Sequence, residues 1–113
     1  MEKLTHYRQL LRQLLEHYAQ PRPSYPATGV DKVLIVDEAR GHFMLLKIGW
    51  HEARRVEWLM LYVRLKDGKI HIEADATEDG LATELLAAGV PAADIVLAFQ
   101  HPQERQYAEP VAA

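Results

Sequence analysis

Four oxygen-bearing side chains lie in one short segment, DATED, between a strand-like run and a helix-like run. They are Asp75, Thr77, Glu78 and Asp79. Carboxylates at this spacing can transfer protons or bind a divalent cation. They can equally cap the first turn of a helix or present charge to a partner protein. The segment is therefore a candidate reaction centre, a structural cap or a binding surface.

The capping interpretation fits this segment best. Asp75 and Glu78 have the spacing of a capping box, in which an acceptor precedes an acid by three residues. Thr77 is a second candidate, which would place Glu78 and Asp79 in the first turn, where the helix dipole favours negative charge. A cation site needs several convergent oxygen ligands, and the segment lacks the spacing of an EF-hand. We therefore predict a helix cap here, with no metal ion and no cofactor.

Other kinds of reaction centre have no signature in the chain. There is no cysteine, so thiolate catalysis and cysteine-ligated metal sites are excluded. Ser24 is the only serine, and no glycine-rich phosphate loop is present. No recognised metal spacing links the histidines, which are His6, His17, His42, His51, His71 and His101. One enzymatic alternative remains, a metal-dependent enzyme that uses Asp75 and Glu78 with His71 or Asp94.

The charge balance predicts that direct binding to DNA is weak or absent. The chain has 13 basic and 16 acidic residues and a formal net charge of −3. Domains that wrap nucleic acid usually carry a basic excess. Arg54 and Arg55, between Trp50 and Trp58, form the candidate nucleic-acid contact. Two arginines neutralise few phosphates, and the alternative is a solvated strand end beside aromatic side chains.

The first element that could position these groups is a helix over residues 3–19. Apolar residues recur there every three or four positions, as on one face of a helix. They are Leu4, Tyr7, Leu10, Leu11, Leu14, Leu15 and Tyr18. Three prolines in residues 21–29 then stop the helix. We expect an amphipathic helix packed on a sheet, with a partner-binding helix as the alternative.

Three strand-like runs follow at residues 30–39, 41–50 and 54–65, joined by short turns. The third run has apolar residues at both alternating sets of positions. That pattern predicts a central strand covered on both sides. A helix over residues 55–63 is the alternative, because short apolar runs do not distinguish the two structures.

Asp67 and Gly68 predict a two-residue type I′ hairpin turn, since both central positions of that turn need positive φ. The turn sets the register of the two strands that it joins. The expected pairs are Leu65 with Ile70, Arg64 with His71, Val63 with Ile72 and Tyr62 with Glu73.

A second helix is expected to begin near Asp75 or Thr77 and to end at Ala88, because Gly89 suits the position after a helix. Its buried stripe would comprise Leu81, Ala82, Leu85 and Leu86. A final strand or extended segment is expected at residues 94–99.

These elements predict an α+β fold. A single domain over residues 1–113 would hold an antiparallel sheet of about four to five strands, with the N-terminal helix and the second helix packed on it. The N-terminal stretch is charged throughout and lacks the apolar core of a signal peptide. No apolar run is long enough to span a membrane. We therefore expect a cytoplasmic protein that does not associate with membranes.

The order and spacing of several segments resemble the XisI-like family, the fdxN-element excision controlling factors known mainly from cyanobacteria. The segments cover nearly the whole chain: EKLTHYRQLLRQLLEHYA, IGWHEARRVEW, DGKIHIEADATEDGLATELLAAGVPAADIVLAF and HPQERQYAE. The family's DGTE motif is matched by residues 75–78. Ala76 replaces the usual glycine there, which argues against a strict need for positive φ.

The resemblance implies an accessory or regulatory protein without enzymatic activity. Members are named for a role in the site-specific excision of a DNA element, beside a separate recombinase. They are typically found with a companion, the XisH-like protein, which resembles nucleases. The resemblance therefore gives the enzymatic alternative the form of a metal-dependent nuclease subunit. We expect the companion to contact Asp75, Thr77, Glu78 and Asp79, together with Arg105 and Tyr107 in the C-terminal tail, since exposed arginines and aromatic residues often anchor interfaces. A homo-oligomer is a further possibility.

Overall fold

The computed structural model describes residues 2–20 and 29–101, and these form two α-helices and a five-stranded sheet. In chain order the elements are α1 (Glu2–Ala19), β1 (Val30–Asp37), β2 (His42–His51), β3 (Arg54–Lys66), β4 (Lys69–Asp75), α2 (Leu81–Ala87), a 3-10 turn (Ala92–Asp94) and β5 (Ile95–Leu97). The predicted α+β fold is confirmed, and the alternative of a helix over residues 55–63 is wrong. No helix in the described ranges is long and apolar enough to cross a bilayer. Most of the proline-containing segment 21–29 and most of the C-terminal tail lie outside those ranges.

The strand order in the sheet follows the chain, β1-β2-β3-β4-β5. The pairings from β1 to β4 are antiparallel, as the short turns predict. Strand β5 instead runs parallel to β4, so the expectation of a wholly antiparallel sheet is corrected. A parallel neighbour needs a crossover, and α2 with the 3-10 turn supplies it.

The core lies between one face of the sheet and the two helices. Helix α1 contributes Tyr7, Leu11 and Leu15, as the periodicity predicts, and α2 contributes Leu81 and Leu85. The sheet contributes Phe43, Leu45, Leu61, Val63, Ile70, Ile72 and Ile95, and Val90 completes the set. Burial of this apolar surface is the main force that joins the helices to the sheet.

Leu86 does not join the core and is 36% exposed, so its predicted burial is wrong. Helix α2 has only seven residues, and Leu81 and Leu85 already occupy its sheet-facing side one turn apart. The helix ends as predicted from Gly89, which adopts φ +94°. The backbone N–H of Val90 donates to Leu85 O, and that of Gly89 donates to Leu86 O, the two bonds of a Schellman motif.

The second face of the sheet is not covered by any part of the chain that the structure describes. Strand β3 is central, as predicted, but both helices pack on the same side of it. On the other side, Val33 and Ile35 of β1 are 37% and 49% exposed. The expectation of cover on both faces therefore fails within residues 2–20 and 29–101.

The β3–β4 hairpin has the predicted turn. Asp67 and Gly68 adopt φ of 56° and 73°, as a type I′ turn requires. The predicted pairs Leu65–Ile70, Arg64–His71 and Val63–Ile72 are all present. Tyr62 faces Ala74 and not Glu73, because a bulge shifts the register. The bulged Glu73 accepts a hydrogen bond from Arg64 Nε at 2.9 Å.

We expect Gly68→Val to lower the free energy of unfolding by about 1 kcal/mol or more, because a β-branched residue resists positive φ. A Cβ at Gly68 would meet only Lys3 Nζ, at 3.9 Å, so the loss would come from the backbone and not from a clash. Urea denaturation measures it. Gly68→Asn is the control, since asparagine tolerates this conformation. Equal stability of the valine variant and the wild type would exclude the assigned turn.

Candidate functional site

The acidic loop, residues 75–79, connects β4 to α2. Asp75 is the last residue of β4, and α2 begins only at Leu81, after the N-cap residue Gly80. The predicted helix start near Asp75 or Thr77 is therefore wrong. Gly80 has φ +86°, a left-handed conformation that a helix cannot include. The loop residue Ala76 needs no positive φ, in line with alanine at that position.

Asp75 caps α2 from a distance of six residues. Its Oδ2 accepts a hydrogen bond of 2.6 Å from the backbone N–H of Leu81. Its Oδ1 accepts from the backbone N–H of Thr77 at 2.9 Å and from the Thr77 hydroxyl at 2.5 Å. The predicted capping role thus falls to Asp75 alone, because Thr77 is a donor to it and the helix begins too late for Glu78 to complete a capping box. Both Asp75 oxygens hold the loop in shape.

Glu78 and Asp79 are exposed at the outer side of the loop. Neither side chain enters a hydrogen bond or ion pair with the described residues. The structure therefore separates the four predicted residues into two that build the loop and two that present charge. Arg105 and Tyr107, the other predicted contacts, lie outside the described residues.

Tyr18 at the end of α1 extends this site, and the sequence pattern did not indicate it. Burial raises the pKa of Tyr18, and the negative charges of Glu84, Asp75 and Asp79 raise it further, while a hydrogen bond with Thr77 opposes them. Glu84 lies in the first turn of α2. Glu84 of α2 therefore adds to the negative charge of the acidic loop at Tyr18. Tyr18 and Glu84 come close to the acidic loop only through the packing of α1 and α2.

The residues of the enzymatic alternative have separate roles in the structure. His71 Nε2 lies 3.1 Å from the backbone oxygen of Lys66. Asp94 accepts a hydrogen bond from the Tyr7 hydroxyl and pairs with Lys3 Nζ at 3.0 Å. Within residues 2–20 and 29–101, no group of three His, Asp or Glu side chains could hold a metal ion. The structure gives no geometric support to a metal-dependent reaction centre at these residues.

Arg55 contacts a tryptophan instead of forming a basic patch. Its guanidinium lies 5.5 Å from the centre of the Trp50 ring, within cation–π range. Its Nε is also 4.0 Å from the carboxylate of Glu57. Arg54 lines an open concavity of about 570 Å³ with its neighbours in the same turn, residues 51–53. Glu52 and Glu57 flank the two arginines in the sequence, which leaves little net positive charge for phosphate.

Tyr7 and Asp94 join the start of α1 to the start of β5. Burial raises the pKa of Tyr7 to about 12, and its hydrogen bond to Asp94 and the charge of that carboxylate add to the effect. The pKa of Asp94 is lowered, first by the Tyr7 hydrogen bond and then by Lys3, against an opposing effect of burial. The neutral phenol and the ionised carboxylate therefore stabilise each other in the folded state.

These shifts predict losses of stability at both pH extremes. The raised pKa of Tyr7 gives a contribution that is complete below pH 10 and lost as pH rises towards 12. The lowered pKa of Asp94 gives a contribution present above about pH 3.8 and lost as pH falls further. Urea denaturation across pH measures both. Tyr7→Phe should flatten both limbs, whereas Lys3→Met should leave the alkaline limb intact. Identical pH profiles for Tyr7→Phe and wild type would contradict the assignment.

The comparisons with known proteins agree over almost the entire chain. The family model described as XisI protein matches residues 1–111. A crystal structure of a XisI-like protein from Anabaena variabilis is 36% identical, with a TM-score of 0.85 over 94% of this chain and 95% of that one. The fdxN element excision controlling factor XisI from the same organism is 39% identical, with a TM-score of 0.81 over 95% and 96%. No curated protein matches the chain.

Proposed function

Because this chain belongs to the XisI family, we propose that it is a non-enzymatic accessory factor that helps to control excision of a DNA element by binding a companion protein. The relative that is 39% identical is named an fdxN element excision controlling factor. Similarity over nearly the full length of both chains supports a corresponding role for this protein. The companion that we propose is XisH-like and carries basic residues at the contact.

One observation supports the binding role: within the acidic loop, some side chains stabilise the loop and others are exposed with their charges unmatched by the described residues. Asp75 has both carboxylate oxygens occupied by backbone and hydroxyl donors of its own loop. Its use as a proton acceptor or metal ligand would break the start of α2. Glu78 and Asp79 project from this fixed loop with their charges unmatched by the described residues. A preformed loop with free outer carboxylates favours recognition of a basic surface.

The proposal also accounts for the charge of the chain. With a net charge of −3, the protein would neutralise few phosphates and release few counterions on binding DNA. Contact with DNA is then left to the companion or to the recombinase. In this arrangement Arg105 and Tyr107 of the C-terminal tail form a second part of the companion contact.

Charge reversal of the loop tests this interface. We expect Glu78→Lys combined with Asp79→Lys to weaken binding to the companion by about ten-fold or more, because two rim charges then repel a basic partner. Calorimetric titration of a purified XisH-like protein into each chain measures the effect. A chain that ends at Phe99 tests the contribution of the tail in the same way.

The matched control reverses two acids on the exposed side of α1, Glu2→Lys with Glu16→Lys. This control makes the same change in net charge and should keep wild-type affinity at moderate salt. Equal affinity of both double variants and of the shortened chain would show that the contact lies elsewhere. Equal weakening by the two double variants would mean that net charge, and not the acidic loop, controls association.

A further inference from the structure

The uncovered side of the sheet, here called the open face, is apolar in its middle. Strand pairing arranges it in rows. One central row consists of Val33, Leu46 and Leu59, and the next consists of Ile35, Met44 and Tyr62. Val33 and Ile35 are exposed, and the other members are half-buried. Scattered apolar residues on a surface are ordinary, but two adjoining rows across three strands form a contiguous patch of the kind that marks an interaction site.

Charged rows close the patch at both ends. At the end nearer the β2–β3 turn, the row is Asp31, Ile48 and Glu57. At the opposite end, the row is Asp37, His42 and Arg64, with His71 of β4 next to Arg64. On β3, the acid Glu57 therefore lies at one end of the apolar rows and the base Arg64 lies at the other.

We propose that the open face is the interface of a symmetric homodimer. A two-fold axis in the plane of the face, perpendicular to the strands and between the two apolar rows, places each row on the other row of the second copy. Val33 then meets Ile35 of the second copy, and Leu46 meets its Met44. Sheets pack face to face in this aligned way in β-sandwiches. Each copy covers the apolar rows of the other.

The same axis matches the charges on β3. Glu57 of each copy meets Arg64 of the other, so the contact forms twice, and Arg64 then lies between Glu57 and the Glu73 of its own chain, which it already binds at 2.9 Å. On β1, Asp31 meets Asp37, whose carboxylate is already paired with Arg40 at 3.1 Å. The pattern is therefore self-complementary, as an isologous contact requires.

The size of the open face suits a dimer. The three strands that carry the apolar rows, about 4.8 Å apart and taken as eight residues long, span roughly 14 Å by 26 Å, or about 370 Å² before the relief of side chains is added. This area is of the same order as the roughly 800 Å² that each partner contributes to a standard interface. The acidic loop lies outside these rows, because Asp75 pairs with Leu61 on the core side of the sheet. A substitution on the open face can therefore abolish the dimer without affecting companion binding, and a substitution in the acidic loop can do the reverse.

Sedimentation equilibrium of the purified chain tests the dimer. Wild type should have twice the monomer mass of 12.9 kDa, and Ile35→Lys should raise the dimer dissociation constant by about a hundred-fold or more, since the charge enters the interface twice. The control is Trp58→Lys, because Trp58 is exposed to a similar degree, 47% against 49%, but lies outside the open face, beside Lys47. Circular dichroism confirms that each variant is folded.

Cross-linking gives a second readout that a folding defect cannot imitate. The chain has no cysteine, so a single introduced thiol can be linked only to another copy. With a short bismaleimide, Val33→Cys should form covalent dimers and Thr83→Cys on α2 should not. A wild type that stays monomeric at all concentrations would overturn the proposal. So would a dimer that Ile35→Lys leaves intact, or loss of companion binding in Ile35→Lys while the wild type alone is monomeric.

Discussion

Gly49→Ala is expected to destabilise the protein by about 3 kcal/mol or more, the largest effect predicted for any single substitution here. Gly49 has φ +152°, and a Cβ there would lie 2.0 Å from Gly29 O and 2.8 Å from Val30 Cα. Both are backbone atoms of the neighbouring segment, so no rotation of a side chain can relieve the clash. The start of the β1–β2 ladder would have to separate.

Gly89→Ala is the matched control for this substitution. Gly89 also has positive φ, +94°, but a Cβ there meets no atom within 4 Å. The control should lose about 1 kcal/mol from backbone strain alone. Urea denaturation of the two variants separates the clash from the strain. If both lost the same amount, close approach of the two backbones at Gly49 would be excluded as the reason for a glycine there.

Asp75→Ala is expected to lower the free energy of unfolding by about 2 kcal/mol. The substitution leaves the backbone N–H groups of Leu81 and Thr77 without their charged acceptor. Thr77→Val removes only the hydroxyl donor and should cost about 1 kcal/mol or less. Thermal or urea denaturation of the two variants gives the comparison.

Magnesium, manganese and calcium should leave the melting temperature of the wild type unchanged. A cation that bound only the folded state would raise it. A rise with metal that disappears in Asp75→Ala would contradict the structural role of this carboxylate and revive the metal-dependent alternative. A negligible effect of Asp75→Ala on stability would also contradict the cap, because the start of α2 depends on it.

Local patterns were enough to predict most of the fold. The apolar stripe of α1, the strand-like runs and the Asp67-Gly68 turn act over a few residues, and the structure confirms each of them. The predicted start of α2 is wrong because the capping side chain, Asp75, binds Leu81 across a loop that ends at Gly80. Cap motifs in sequence assume shorter spacing.

Features that depend on tertiary pairing could not be predicted from the sequence. The parallel direction of β5 follows from the path of α2, and the bulge at Glu73 departs from the regular pairing that the Asp67-Gly68 turn implies. Alternating apolar residues in β3 indicated burial on both faces, yet the pattern does not show whether a helix or a second molecule provides the cover. The proximity of Tyr18 to the acidic loop has the same non-local origin.

We propose that this protein works by binding a companion and not by catalysis. The most direct measurement is a calorimetric titration of the purified XisH-like companion into the wild-type chain in the presence of EDTA, with a parallel DNA cleavage assay of the chain alone in magnesium. We expect saturable binding without metal and no cleavage. Absence of binding together with cleavage of DNA by the chain alone would contradict it.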